Sequence, residues 1–236
     1  MLKKYLLLMM MMVLGTVGFA GTAQAAPSDE LSDKQKSIVT ISAFTAQGDL
    51  TRLKTAINTG LDRGLTVNEI QEVLIQMYAY CGFPRSLNGL STFVAVLDER
   101  KAAGIVDEIG AEANPVDPNR DRYAIGDKIQ TELVGRPVQG RIYDFSPTIS
   151  RFLKEHLFCD IFERGILSTK DREIATVSAL AGIGNVNPQL AGHMNCSLNA
   201  GVTEKQLQEV VNVLSSEVGI DTGKNAQAVL NKILSK

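Results

Sequence analysis

The stretch LAGHMNCSLNAGVTEKQLQEVVN, residues 190–212, sets an imidazole and a thiol three residues apart. On a helix His193 and Cys196 share a face. Leu190 and Met194 lie close to it, and Gly192 and Ala200 are small enough to admit a neighbouring helix. An imidazole in such company is either a hydrogen-bonded core residue or the proton carrier of a site. Glu173, in the preceding stretch TKDREIATVSALA, bears on that choice. Two antiparallel helices joined after Gly184 would bring its carboxylate towards His193. A carboxylate beside an imidazole fixes the tautomer and stabilises the imidazolium, which makes a proton-transfer pair. Taken alone, Glu173 is equally a first-turn surface acid that complements a helix dipole. Cys196, beside an imidazolium, is a candidate nucleophilic thiol.

A second chemical cluster lies at YAYCGFPRSLNGL, residues 78–90. Gly82 and Pro84 break the chain between helices. Arg85 opens the next helix, where its guanidinium is a candidate for binding an anionic substrate group. Tyr80 and Cys81, with Tyr78, read as core or as the wall of a substrate site. His156 and Cys159 repeat the H-x-x-C spacing of His193 and Cys196. Two such pairs hold the donors of a tetrahedral zinc site. Nothing in the sequence makes the pairs meet, and His156, between Leu153 and Leu157, reads as a partly exposed interface residue. No metal and no other cofactor is assigned.

The elements that must position these groups come from a duplication. LSDKQKSIVTISAFTAQG (31–48) aligns with LSTKDREIATVSALAGIG (167–184) at an offset of 136, and GLTVNEIQEV (64–73) with GVTEKQLQEV (201–210) at 137. One inserted residue near 187 accounts for the change. Ser32 with Gln35, Thr66 with Glu69 and Thr203 with Gln206 have capping-box spacing. Ile38, Ile41 and Phe44 follow at helical intervals, as do Ile70, Val73, Leu74 and Met77, and then Leu207, Val210, Val211 and Leu214. Gly64 and Gly201 fall where a left-handed residue closes a helix. Ser146-Pro147 opens a further helix. Strand signals are scarce. The predicted fold is all-α: two tandem helical-bundle repeats, 31–103 and 147–236, joined by an irregular linker over 104–146, part of which, about 119–134, can be helical. The first copy lacks the acid–base pair, because Ser37 stands in the place of Glu173 and Ala56 in that of His193.

The 236 residues are 44% apolar and 21% charged, with a net charge of −2. That composition supports a packed core and gives no basic field for nucleic acid. At the N-terminus, Lys3 and Lys4, the apolar run Leu6–Leu14 and Ala23-Gln24-Ala25 read as a secretory signal over 1–25, cleaved after Ala25. The expected location is outside the cytosol, in a periplasm, with no stable membrane anchor. There one pair among Cys81, Cys159 and Cys196 could bridge.

Two motifs resemble those of carboxymuconolactone decarboxylase-like proteins, of the alkylhydroperoxidase D-like superfamily. YAYCGFPRSLNGL is similar to the family's Y-x-GFP-x-x-x-N signature. The run His193, Leu198, Asn199, Gly201, Val202, Thr203, Leu207, Glu209, Val210 is similar to its H-x-x-x-x-LN-x-GVT-x-x-x-L-x-EV pattern. The resemblance implies an all-α bundle, assembly as a homo-oligomeric trimer or hexamer, and a small-molecule substrate. It also implies catalytic roles for Glu173 and His193. The activities it brings are decarboxylation of a lactone acid or thiol-dependent peroxide reduction. The peroxidase branch needs C-x-x-C ahead of the His, and here Val186 and Gln189 stand in those places. The expected function is therefore proton transfer by His193 and Glu173, coupled to decarboxylation or isomerisation of a small organic acid or lactone. The alternatives are a peroxiredoxin-like oxidoreductase working through Cys196 and a non-catalytic oligomeric binding module.

Overall fold

A computed structural model describes residues 29–235; the signal-peptide reading lies outside the described residues. These residues fold into helices, with no strand among them. The first repeat holds α1 (Asp33–Gln47), α2 (Leu50–Asp62) and the long α3 (Val67–Ala102). The second holds α7 (Thr169–Ile183), α8 (Asn187–Asn199), α9 (Glu204–Val213) with a π-helical extension Leu214–Val218, and α10 (Ile220–Leu234). Between them lie α4 (Arg122–Val134), α5 (Arg141–Phe145), α6 (Pro147–Phe152) and a π-helical segment, Leu153–Ile161.

The sequence fixes most of these boundaries locally. All three capping boxes form, at Ser32, Thr66 and Thr203, each side chain accepting from the third-residue amide while the Gln or Glu there accepts from the cap backbone. Gly64 and Gly201 take left-handed φ of 87° and 88°. Ser146 precedes a helix with proline at its first turn, but its side chain makes no cap bond. The α1–α2 connection has two residues and the α7–α8 connection three, which is where the inserted residue goes.

The two repeats share one core. α1 and α7 run through its centre, buried on nearly every side from Ser37 to Ala46 and from Arg172 to Ala181. Neither needs a strong amphipathic stripe, because neither has a solvent face. Their buried hydroxyls bond back to the preceding turn: Thr45 to the Ile41 carbonyl and Ser178 to that of Ile174. Gly182 permits the closest approach between them. A Cβ there would sit 2.8 Å from the Ala43 carbonyl oxygen. Ile70, Val73, Leu74 and Met77 on α3, and Leu207, Val210, Val211 and Leu214 on the opposite copy, bury fully or nearly so around this pair.

Gly82 bends α3. Its φ of 83° and ψ of 157° break the helix two residues before Pro84, so the chain kinks and then resumes. The same place in the second copy, Gly219, separates the π-helical extension from α10.

The stretch expected as an irregular linker is partly ordered. Asp121 caps α4 by accepting from the Ala124 amide. Leu133 then joins Leu157, Phe158 and Ile161 in a small second core that takes in Cys196, with Tyr78 and Tyr80 packed against it. Asn199 Nδ2 donates to the Leu133 carbonyl at 2.9 Å, tying α8 to α4. Part of the connector thus forms one wall beside α8. Proline- and glycine-rich flanks in the sequence conceal this, because the contacts that hold α4 are tertiary.

Candidate active site

Glu173 lies on the second turn of α7 and His193 near the middle of α8. The sharp turn at Gly184 and Asn185 folds the two helices back on each other, and Asn185 accepts a left-handed φ of 58° to do so. Glu173 Oε2 lies 2.9 Å from His193 Nδ1. The carboxylate is fully buried, and the imidazole side chain keeps 17% of its surface exposed. Solvent therefore reaches the ring but not the acid. An ionised carboxylate accepts from Nδ1–H, which leaves Nε2 as the nitrogen free to exchange a proton. Ser197 holds the next turn by donating to the His193 carbonyl.

Tyr80 comes to this pair from the first repeat. Its ring meets His193 edge-on, with centroids 5.5 Å apart and planes at 85°. Its hydroxyl is buried, with no partner within hydrogen-bond geometry among the described residues. Thr176, beside it, is already committed to Gln76 and to the Arg172 carbonyl. Burial, with the Glu173 charge adding to it, pushes the phenol well above its ordinary range. Tyr80 is a neutral wall carrying a spare donor. The kink at Gly82 follows it directly in sequence.

The other candidates are placed differently. Cys196 is buried one helical turn beyond His193. Burial and then the Glu173 charge push its thiol up to about 12, so its nucleophilic form is scarce near neutrality. Cys81 donates to the Met77 carbonyl at 3.0 Å, and burial pushes it up to about 11. All three cysteines are free thiols. Arg85 does not serve the pair. Its Nη1 donates to the Ala46 carbonyl at the end of α1, and no hydrogen bond or ion pair joins it to His193 or Glu173 among the described residues. A guanidinium there satisfies helix-end carbonyls.

His156 and Cys159 do not converge with His193 and Cys196. His156 Nδ1 pairs with Asp160 at 2.9 Å, and the Cys159 sulfur sits between Arg120 and Glu163. Among the described residues one group of three has metal-ligating atoms close together: Glu173, His193 and Cys196.

Sequence reading missed the buried ion pair that anchors α7 beside the site. Arg172 Nη2 lies 2.7 Å from Glu72 Oε1 on α3, both side chains fully buried. Arg172 Nη1 also donates to Gln76, and Arg164 reaches Glu72 from outside. Arg172 immediately precedes Glu173, so this network fixes the helix that presents the acid. The one available signal is Glu72 itself, a charge set among apolar residues in VNEIQEVLIQM.

A comparison against protein families agrees with the fold. The model of the Carboxymuconolactone decarboxylase family matches the chain twice, over residues 16–94 and 147–232. Together these stretches cover more than half of it, and the chain belongs to that family. No curated protein matches it in sequence.

Proposed function

We propose that the chain is an enzyme in which His193, oriented by Glu173, moves a proton during decarboxylation or isomerisation of a small organic acid or lactone. The observation that carries this reading is the 2.9 Å contact between a fully buried carboxylate and a partly exposed imidazole. An acid sunk in the core fixes the ring without competing for substrate, and the ring's open edge can reach one.

In a decarboxylation the C–C bond to the substrate carboxylate breaks and CO2 leaves. The electron pair enters a conjugated carbonyl, and a proton from His193 Nε2 is delivered to carbon. Solvent then restores that proton. Glu173 stays ionised throughout and accepts from Nδ1–H. An isomerisation uses the same nitrogen to take a proton from one carbon and return it to another. Neither course asks for an organic cofactor, because a lactone or enone carbonyl is its own electron sink. Tyr80 packs edge-on against the ring.

The peroxidase alternative has less support. It requires a thiolate, and the Cys196 thiol is pushed away from ionising by burial and by Glu173. Export, and assembly into trimers or hexamers, remain part of the proposal through the family likeness and the sequence of the leader.

The test is a panel of small lactone acids and unsaturated keto acids, followed in heavy water by NMR. The expected result is CO2 release or deuterium uptake by wild type and its loss in His193→Ala. Turnover that survives His193→Ala and disappears in Cys196→Ser would put the chemistry on the thiol instead.

A further inference from the structure

Three side chains of different ligand chemistry meet at this site. A carboxylate oxygen of Glu173, a ring nitrogen of His193 and the Cys196 sulfur all lie within 4.8 Å of one another. The first comes from α7, and the other two sit at i and i+3 on α8. Two further observations point to a ligand. Among the described residues Glu173 Oε1 is buried with no hydrogen-bond partner, in a residue with no exposed surface. No side chain among the described residues hydrogen-bonds the Cys196 sulfur, whereas the Cys81 thiol bonds the Met77 carbonyl and the Cys159 sulfur lies against Arg120 and Glu163. A buried carboxylate oxygen left uncommitted carries a desolvation cost that a cation removes.

We propose that Glu173, His193 and Cys196 bind one divalent transition-metal ion of the zinc or cobalt type. The mixed oxygen, nitrogen and sulfur donors select such an ion over magnesium or calcium, which prefer all-oxygen cages. Carboxylate and thiolate together balance its charge. Zinc bonds of about 2.0–2.3 Å hold tetrahedral ligands roughly 3.5 Å apart, so donors that already lie within 4.8 Å of one another reach that spacing with shifts of about 1 Å or less. Three protein ligands leave a fourth position for water, reached along the exposed edge of His193. Uptake expels the thiol proton. The first repeat cannot form this site, because Ser37, Ala56 and Thr59 stand in the three places.

The inference goes beyond proton transfer and draws on the same imidazole. An ion that takes the His193 nitrogen facing Glu173 removes the hydrogen bond that orients the ring, so the bound metal competes with the acid–base pair.

The test is titration of the metal-stripped protein with Co2+, followed by absorption, with Zn2+ as competitor. The expected result is one Co2+ per chain, displaced by Zn2+, with a thiolate-to-cobalt charge-transfer band in the near ultraviolet. That band should vanish in Cys196→Ser and persist in Cys81→Ser and Cys159→Ser. Affinity should fall more than about tenfold in His193→Ala. A wild type without the band overturns the proposal, as does a band that survives Cys196→Ser. Should a variant fail to fold, zinc X-ray absorption on wild type decides: one sulfur neighbour supports the site, and none or several refute it. A blank titration with intact turnover removes the metal site alone. A normal cobalt band together with full turnover by His193→Ala removes the proton-transfer reading alone.

Discussion

Ala56 and His193 occupy the same place in two copies of one helical plan, and their surroundings have diverged. Around His193 three side chains gather: Tyr80 crosses from the first repeat, Cys196 lies one turn on, and Glu173 holds Nδ1. Around Ala56 a cavity of about 340 Å3 opens, lined among others by Thr40, Arg52, Thr55, Thr59 and Glu217. At the same offsets Thr59 answers to Cys196 and Glu217 to Tyr80. Each site therefore borrows a residue from the opposite repeat. Only the second version carries an imidazole and its acid. The backbone plan is common to both, so whatever chemistry the protein performs resides in the side chains placed on it.

The largest effect should come from making the second site resemble the first. His193→Ala should reduce turnover by about 10²–10⁴-fold with helicity unchanged, as measured by steady-state kinetics and circular dichroism. Equal rates would show that the two sites do not differ in the way described.

The copies also differ in how their central helices are held. Arg172 answers to Lys36, and only Arg172 is paired in the core. Glu72→Ala leaves that guanidinium buried without its partner and should cost about 3–5 kcal/mol in denaturant unfolding. A loss below about 1 kcal/mol would mean that water reaches the pair.

Thr59 and Cys196 sharpen the comparison at smaller scale. With its thiol pushed up to about 12, Cys196 in metal-stripped protein should react with iodoacetamide at least a hundredfold more slowly than a free thiol near pH 8. The sign is fixed by the raised value. Thiolate accumulates only as pH climbs towards 12, so the rate should increase about tenfold per pH unit from 7 to 10. A plateau near pH 9 would contradict the burial and charge assigned to it.

The smallest effect lies at the helices that carry Ala56 and His193. Asp49 caps α2 through the Arg52 amide, whereas Val186 gives α8 no side-chain cap. Asp49→Ala should cost about 1 kcal/mol at neutral pH. The Arg52 backbone and side-chain bonds hold the Asp49 carboxyl below its ordinary value of 3.8. A depressed carboxylate stabilises the fold above that value and stops doing so as pH falls through the lower folded one. The difference between variant and wild type should accordingly shrink below pH 3.8, as read from chemical denaturation at several pH values.

Much of the fold was legible because its signals are local. Capping boxes, left-handed glycines and the spacing of Ile70, Val73, Leu74 and Met77 act within one or two turns, and they mark the helices directly. The repeat then told which helices correspond. The acid–base candidates were legible for the same reason: a helical hairpin of known handedness leaves few places for Glu173 relative to His193. What could not be read depends on distant partners. Glu72 and Arg172 look like surface charges until α3 and α7 are packed together. That Arg85 bonds the end of α1 is likewise a tertiary contact that no local pattern shows. The π-helical segment Leu153–Ile161 leaves no distinct pattern, since its apolar spacing also suits an α-helix. Nearness to an imidazole marks Cys196 as a candidate thiol, but its burial and, after that, the Glu173 charge push it away from ionising, and neither is visible in the sequence.

With only two histidines in the chain, the central claim can be tested by nitrogen-15 NMR of the imidazoles in metal-stripped protein. The account predicts that His193 is protonated on Nδ1 and that its Nε2 resonance moves when a small lactone acid is added, while His156 stays unchanged. A neutral His193 carrying its proton on Nε2 with Nδ1 bare, or a His193 signal indifferent to every such ligand, would contradict it.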